Sequence, residues 1–288
     1  MLIDTHAHLN FNAYQKDAEE VIRRSLNNDI GMINIGTQYD TSKKAIEIAQ
    51  KYKEGVYATV GLHPIHLETG LVKIKNDTEE IEPKTREKDF DCEKYKELAQ
   101  SPKVVAIGEI GLDYYWRPKT KRKLELFKER QRTGLCQQLK LARELDLPVI
   151  FHCRMAHDDL IGVLNSKFQI PNSKQIPNSK LQNSKMRGLI HCFTGTWPQA
   201  EKYLEMGFYL GFNGLIFKLD FDEIIKKTPL EKILLETDCP YLTPPPMTGR
   251  NEPIYLKYIA EKIAKIKNIN YQEVEEQTTK NAKILFRI

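Results

Sequence analysis

The chain has 288 residues, 41% of them hydrophobic and 29% charged, with 44 basic against 39 acidic side chains. That length suits one large α/β barrel or two ordinary domains and leaves ample chain for a buried core. A mean hydropathy of −0.51, with no apolar run near the roughly 18 residues needed to span a bilayer, argues against a membrane protein. The opening MLIDTHAHLN lacks the basic-then-apolar pattern of a signal peptide, so a cytoplasmic protein is expected. Five cysteines at irregular, wide spacings fit neither a disulfide framework nor a CxxC zinc knuckle, and reduced thiols are expected.

Short β-branched or apolar runs alternate with longer amphipathic stretches from end to end. The strands expected in chain order are LIDTH (2–6), GMINIG (31–36), VYATVGLH (56–63), VVAIGEIG (104–111), LPVIFH (147–152), GLIHCF (188–193), FYLGFNG (208–214) and ILLETD (233–238). Helical patterns fall between them, as at 41–52, 124–146 and 197–207, and two more close the chain after the eighth strand. Eight strand–helix units in roughly 250 residues predict a (β/α)8 TIM barrel, a single domain spanning 1–288. A doubly wound sheet is the competitor, but it would want a phosphate-binding glycine turn after the first strand, and none is there.

Two stretches read as insertions. Residues 69–97 are densely charged with mixed sign and predict a partly helical excursion after the third strand. Residues 166–187 contain QIPNSK twice in tandem and then LQNSK, a pattern that breaks both helical and strand periodicity and predicts an exposed loop. The basic residues of that second stretch are Lys167, Lys174, Lys180, Lys185 and Arg187, with no acid among them. They equal the whole excess of +5, so the rest of the chain is charge-balanced and global basicity says little about the substrate. The expectation is a cationic flap beside the sixth strand able to tether a polyanion.

Five of the seven histidines fall at or just beyond an expected strand end: His6, His8, His63, His152 and His191. Glu109 closes the fourth strand and Asp238 the eighth. In a barrel those ends converge on one mouth, the face where catalysis takes place. Residues two apart on a strand project to one side, so His6 and His8 can grip one ion together. So many imidazoles and carboxylates in one confined space carry a large desolvation cost unless they coordinate a cation. Four imidazoles and two carboxylates exceed the needs of one tetrahedral ion and fit two divalent ions about 3.5–4 Å apart, bridged by Glu109. Cys153, Cys192 and Cys239 each follow one of these residues directly, and strand alternation turns them toward the helix layer as core fillers.

The motifs DTHAHL (4–9), GLHPIH (61–66), GEIGLDYY (108–115), FHCRMAHDDL (151–160), HCFTG (191–195) and ETDCPYLTPPP (236–246) resemble those of the TatD-family metal-dependent hydrolases, the TatD DNases of the amidohydrolase superfamily. The resemblance runs along essentially the whole chain apart from the two insertions. It implies the barrel, metal dependence, and His6, His8, Glu109, His152, His191 and Asp238 as ligands. It further implies hydrolysis of phosphodiester bonds in DNA, typically from a 3′ end; single-stranded DNA ends are the expected partner, and a monomer is expected. His63 and Arg154 match the family's substrate-contacting residues, a guanidinium being well suited to a phosphate oxygen; a salt bridge to Asp158 is the alternative for Arg154. The stretch PMTGRN (246–251) is one residue shorter than the family pattern and has Thr248 where an arginine is expected, which leaves Arg250 as the substitute contact.

Asp238 is the candidate proton handler beside Glu109. Magnesium, manganese and zinc are the candidate ions: the resemblance implies magnesium, whereas ligand softness favours zinc, manganese or nickel. Tyr114 and Trp116, closest in sequence to Glu109, are nominated to stack on bases. Two other readings stay open: an ester or amide hydrolase such as an aminoacyl-tRNA deacylase, and a metal-bound scaffold that recruits a partner through its long loops.

Overall fold

The computed structural model describes residues 1–67, 69–72, 77–80, 87–168 and 186–288. Among them are eight strands, β1 (Leu2–Ala7), β2 (Ile30–Asn34), β3 (Val56–Val60), β4 (Val104–Asp113), β5 (Val149–Arg154), β6 (Gly188–Ile190), β7 (Tyr209–Phe212) and β8 (Ile233–Leu235). They pair in sequence order, every pairing parallel. β1 and β8 close the ring through a parallel bridge between Ala7 and Cys239 and bonds from Asp238 N to His6 O (2.9 Å) and His8 N to Cys239 O (3.0 Å). The expected (β/α)8 barrel is therefore observed, each expected strand corresponding to one of the eight.

The helices are α1 (Ala18–Leu26), α2 (Tyr39–Gln50), α3 (Cys92–Leu98), α4 (Lys121–Glu144), α5 (His157–Phe168), α6 (Trp197–Glu205), α7 (Asp222–Lys227), α8 (Leu256–Lys267) and α9 (Tyr271–Phe286). α4 shows why they sit on the sheet: Phe127, Gln131, Leu135, Gln138, Leu139 and Ala142 recur at helical spacing and are buried. Two of its buried residues are polar because they bond strand-end backbone. Gln131 accepts from Asp113 N (2.9 Å), and Gln138 accepts from Leu62 N (2.7 Å).

Inside the ring, Ile3, Ile33, Val105, Ile150, Leu189 and Leu234 form an apolar cluster with Leu285 and Phe286 of α9, which stoppers the end where the strands begin. Two residues further along three of those strands the side chains become polar: Ile150 leads to His152, Leu189 to His191, and Leu234 to Glu236. Strand alternation thus carries one inward row from an apolar floor to a polar mouth.

α3 lies within the stretch read as the first insertion and serves as the third unit's helix, its N-terminus capped by the Asp91 carboxylate, which accepts from Lys94 N. The QIPNSK repeat, 169–185, lies outside the described residues, but its flanks do not. α5 runs back from the mouth to Phe168, and β6 starts at Gly188, so both flanks stand at the end opposite the mouth. Arg187 donates there to Asp146 O (2.6 Å) and to Leu285 O (3.2 Å). The cationic flap expected beside the sixth strand falls on residues outside the described ones; its anchors are on the far face, and Arg187, one of its five cations, is held by the floor of the barrel.

Candidate metal centre

His6 belongs to β1, whose register shifts between Asp4 and Ala7, and His8 follows the strand. The bulge re-aims the pair, so simple alternation is not the whole reason they converge. Their Nε2 atoms lie 3.2 Å apart, both buried. β4 has a similar register shift between Ile107 and Ile110, which turns Glu109 into the ring. Glu109 Oε2 stands 3.3 Å from His6 Nε2, while Oε1 stands 2.6 Å from His152 Nδ1 and 3.9 Å from His191 Nε2. Asp238, in the left-handed region at φ +56°, sends Oδ1 to within 3.4 Å of His8 Nε2 and 3.8 Å of both His6 and His191 Nε2. All six expected ligand residues therefore meet at the mouth, with Glu109 between the two histidine groups.

The donor set fits divalent ions. Ligand atoms that share an ion at bond lengths near 2.0–2.2 Å stand roughly 3–3.5 Å apart; His6–His8 (3.2 Å), His6–Glu109 (3.3 Å) and His8–Asp238 (3.4 Å) have that spacing, and the other contacts above lie between 2.6 and 3.9 Å. Among the described residues four overlapping groups bring their ligand atoms within 4.8 Å of one another: His6, His8 and Asp238; His6, Glu109 and His191; His63, Glu109 and His152; and His191, Cys192 and Asp238. Burial pushes His6 down to about 3, helped by the neighbouring His191. Burial opposes the charge on Glu109, yet His63, His6 and His152 hold its carboxyl well below the usual range. Those two stand in the protonation states that ligands need. Against burial, Asp113 and Glu109 hold His152 up to about 9, and Glu236 and Glu109 hold His191 up to about 10, so these two must release a proton when a cation binds.

The other expected site residues separate. His63 is buried at the mouth with Nε2 3.5 Å from Glu109 Oε1. Arg154, the last residue of β5, stacks its guanidinium 3.7 Å over the ring of Tyr115 rather than pairing with Asp158, which accepts from Gln199. Trp116 is exposed and meets Tyr115 edge-on at 5.1 Å. Tyr114 points the other way: 3% exposed, it packs on Phe127 of α4 and faces no substrate. Its proximity to Glu109 in sequence misled, because adjacent residues leave a strand on opposite sides, and Tyr115 holds the exposed position. Arg250 is not free at the rim either. It clamps both oxygens of Asp17 (2.9 and 2.5 Å) and lies over the Tyr14 ring.

Cys153 and Cys239 are buried fillers as expected, whereas the Cys192 sulfur lies within 4.8 Å of ligand atoms of His191 and Asp238. β6 ends at Ile190 and Cys192 has φ +44°, so strand alternation no longer sets its direction.

Beneath the ligands lie acids that the motif argument missed. Asp113 Oδ2 contacts His152 Nε2 at 3.0 Å, Glu236 Oε2 stands 2.6 Å from His191 Nδ1, and Asp4 accepts from Thr237 and from His6 N. Two of them carried a signal, since Asp4 and Glu236 stand two residues before His6 and Asp238, the spacing that shares a face. Residues 77–80 also reach the mouth. Buried Glu80 pairs with His66 (2.9 Å) and accepts from Thr37, its carbonyl accepts from Asn12 (2.9 Å), and Asp77 accepts from Tyr241 (2.6 Å).

Comparison with known proteins agrees with this geometry. A family model described as TatD related DNase matches residues 3–287. An uncharacterized metal-dependent hydrolase of Bacillus subtilis, YabD, is 39% identical over the full length of both chains. A protein of Salmonella typhimurium named 3′-5′ ssDNA/RNA exonuclease TatD is 30% identical, over 100% of this chain and 99% of the relative. Among solved structures, the TatD homolog YjjV of Escherichia coli superposes with a TM-score of 0.77 at 27% identity, covering 100% of this chain and 98% of the other. The chain belongs to the TatD family of metal-dependent hydrolases.

Proposed function

We propose that this hydrolase cleaves phosphodiester bonds at the 3′ end of single-stranded DNA, using two divalent ions held by His6, His8, Glu109, His152, His191 and Asp238. The observation that carries the reading is the open edge beside the ligand cluster, where Arg154 lies on Tyr115 next to exposed Trp116. A guanidinium suits a phosphate oxygen and an exposed ring suits an unpaired base, whereas a small amide would want a closed, less basic pocket. The exonuclease name carried by the Salmonella relative supports the same substrate class.

Divalent ions bound there supply an activated water and a clamp on the oxygens of the phosphorus. Asp238, the more exposed of the two ligand carboxylates, is placed to accept a proton from the attacking water. His63 accepts from Ile65 N at Nδ1 (3.1 Å), so a neutral His63 carries its proton on Nε2, where it can donate to a phosphate oxygen. Arg154 holds the phosphate from the outer side, and Tyr115 with Trp116 receives the terminal base.

The test supplies purified protein with magnesium, manganese or zinc and offers it 3′-labelled and 5′-labelled single-stranded DNA, RNA and aminoacyl-tRNA. Stepwise loss of the 3′ label from DNA, abolished by chelator and by Glu109→Ala, is expected. Turnover of the acyl ester alone, or of nothing with any ion, overturns the proposal.

A further inference from the structure

We infer that Glu236 and Asp113 are positioning residues that decide which ring nitrogen His191 and His152 offer to the metal centre. The inference rests on the reading of those histidines as ligands and is independent of the substrate.

The two histidines face the cluster through different nitrogens. His191 turns Nε2 toward Glu109 (3.9 Å) and Asp238 (3.8 Å), with Nδ1 2.6 Å from Glu236, a close charge contact whose angle is poor for a hydrogen bond. His152 turns Nδ1 toward Glu109 (2.6 Å), with Nε2 3.0 Å from Asp113. A neutral imidazole carries its proton on one nitrogen and a lone pair on the other, and only the lone pair binds a cation. A carboxylate behind the ring keeps the proton on its own side and leaves the lone pair facing the ions.

Both acids are built for that place. Glu236 is fully buried, its Oε2 accepts from Cys192 N (3.0 Å), and β7 makes room for it: a Cβ on Gly211 would stand 1.7 Å from Glu236 Oε1. Gly211 is therefore the space that the carboxylate fills. Asp113 is 3% exposed, accepts from Tyr115 N through Oδ1 (2.8 Å), and has its backbone N–H and carbonyl bonded by Gln131 (2.9 and 3.1 Å). Neither acid belongs to a group whose ligand atoms converge on a common point among the described residues. Their geometry is that of carboxylates holding a ligand from behind.

The experiment measures zinc affinity of the full-length, metal-stripped chain by competition with a chelator, for the parent and for Glu236→Gln, Asp113→Asn and Gly211→Ala. An amide can donate its own N–H to the ring and draw the proton to the wrong nitrogen, and an alanine methyl displaces the Glu236 carboxylate without altering it. Each variant should bind zinc about 10–100-fold more weakly. In zinc-loaded protein the slowly exchanging ring N–H signal of His191 should be lost in Glu236→Gln and Gly211→Ala, and that of His152 in Asp113→Asn. Glu236→Asp should recover part of the affinity, which a purely structural role does not require. If Glu236→Gln fails to fold, Gly211→Ala and Asp113→Asn decide. Folded variants within twofold of the parent, with both ring signals intact, overturn the positioning roles. A parent that binds no zinc overturns instead the ligand reading beneath them.

Discussion

Tyr114 and Tyr115 are neighbours, yet one is 3% exposed and the other 48%. Where β4 ends, alternation sends Tyr114 against α4 and Tyr115 to the open edge. Removing a base-stacking ring costs about 1–3 kcal/mol of binding, so Tyr115→Ala should raise KM for oligonucleotides about 5–150-fold while leaving the unfolding midpoint nearly unchanged. Tyr114→Ala should do the reverse, destabilising the fold by about 3–5 kcal/mol as a buried aromatic does; steady-state kinetics and denaturant unfolding separate the two. At this scale the sequence was readable wherever a rare residue type stood at a strand end, as His6, His152 and Asp238 do. It was unreadable where chemistry depended on side-chain direction past the strand: Cys192 and Arg250 both lie beyond the last regular pair, where period-two reasoning stops. Glu236 was accessible in principle from its spacing to Asp238, but a lone acid in an apolar run gives no clue that a histidine from another strand stands behind it.

At the level of elements, the strands were legible because parallel strands buried on both faces read as continuous apolar runs. The stretch 69–97 was harder. Mixed charge at that density reads as solvated surface, and nothing local distinguishes Glu80, 6% exposed, from the acids around it. Its partners come from the loops that follow β2 and β3, Thr37 and His66, and so appear only when the barrel closes. Glu80 fastens residues 77–80 across the mouth, and removing one partner of a buried pair costs about 3–5 kcal/mol. Glu80→Ala should therefore lower stability by an amount in that range near neutral pH. Burial raises its carboxyl, but bonds from His66 and Thr37 and the charge of His66 win and hold it below its ordinary 4.5. A depressed carboxyl contributes fully above the unfolded value and loses that contribution as pH falls through the folded one. The gap between parent and Glu80→Ala in urea unfolding should accordingly shrink as pH falls below about 5; a gap that grows there would contradict the assignment.

For the molecule as a whole, the net charge of +5 says little about the substrate of the barrel. The excess is confined to 166–187, a segment whose flanks leave α5 and enter β6 at the floor of the barrel. Val149 at the start of β5 bonds Arg187 O, and Arg154 follows five residues later, about 17 Å away at roughly 3.3 Å per residue and well over one Debye length at 0.1 M salt. Cations held near those anchors are screened from a phosphate at the mouth, and Arg187 is already bonded to Asp146 and α9. Substrate binding should therefore depend on Arg154 and the ion-loaded cluster rather than on the repeat. Replacing 169–185 by a short glycine–serine turn should leave KM for a single-stranded oligonucleotide within twofold of the parent at low salt, with the same slope against salt concentration. Arg154→Ala in the same assay should raise KM at least tenfold, since a charge-assisted bond to phosphate contributes about 1.5–3 kcal/mol. A tenfold loss on deleting the repeat, with a shallower salt slope, would show instead that the segment reaches round to the mouth and binds the nucleic acid there.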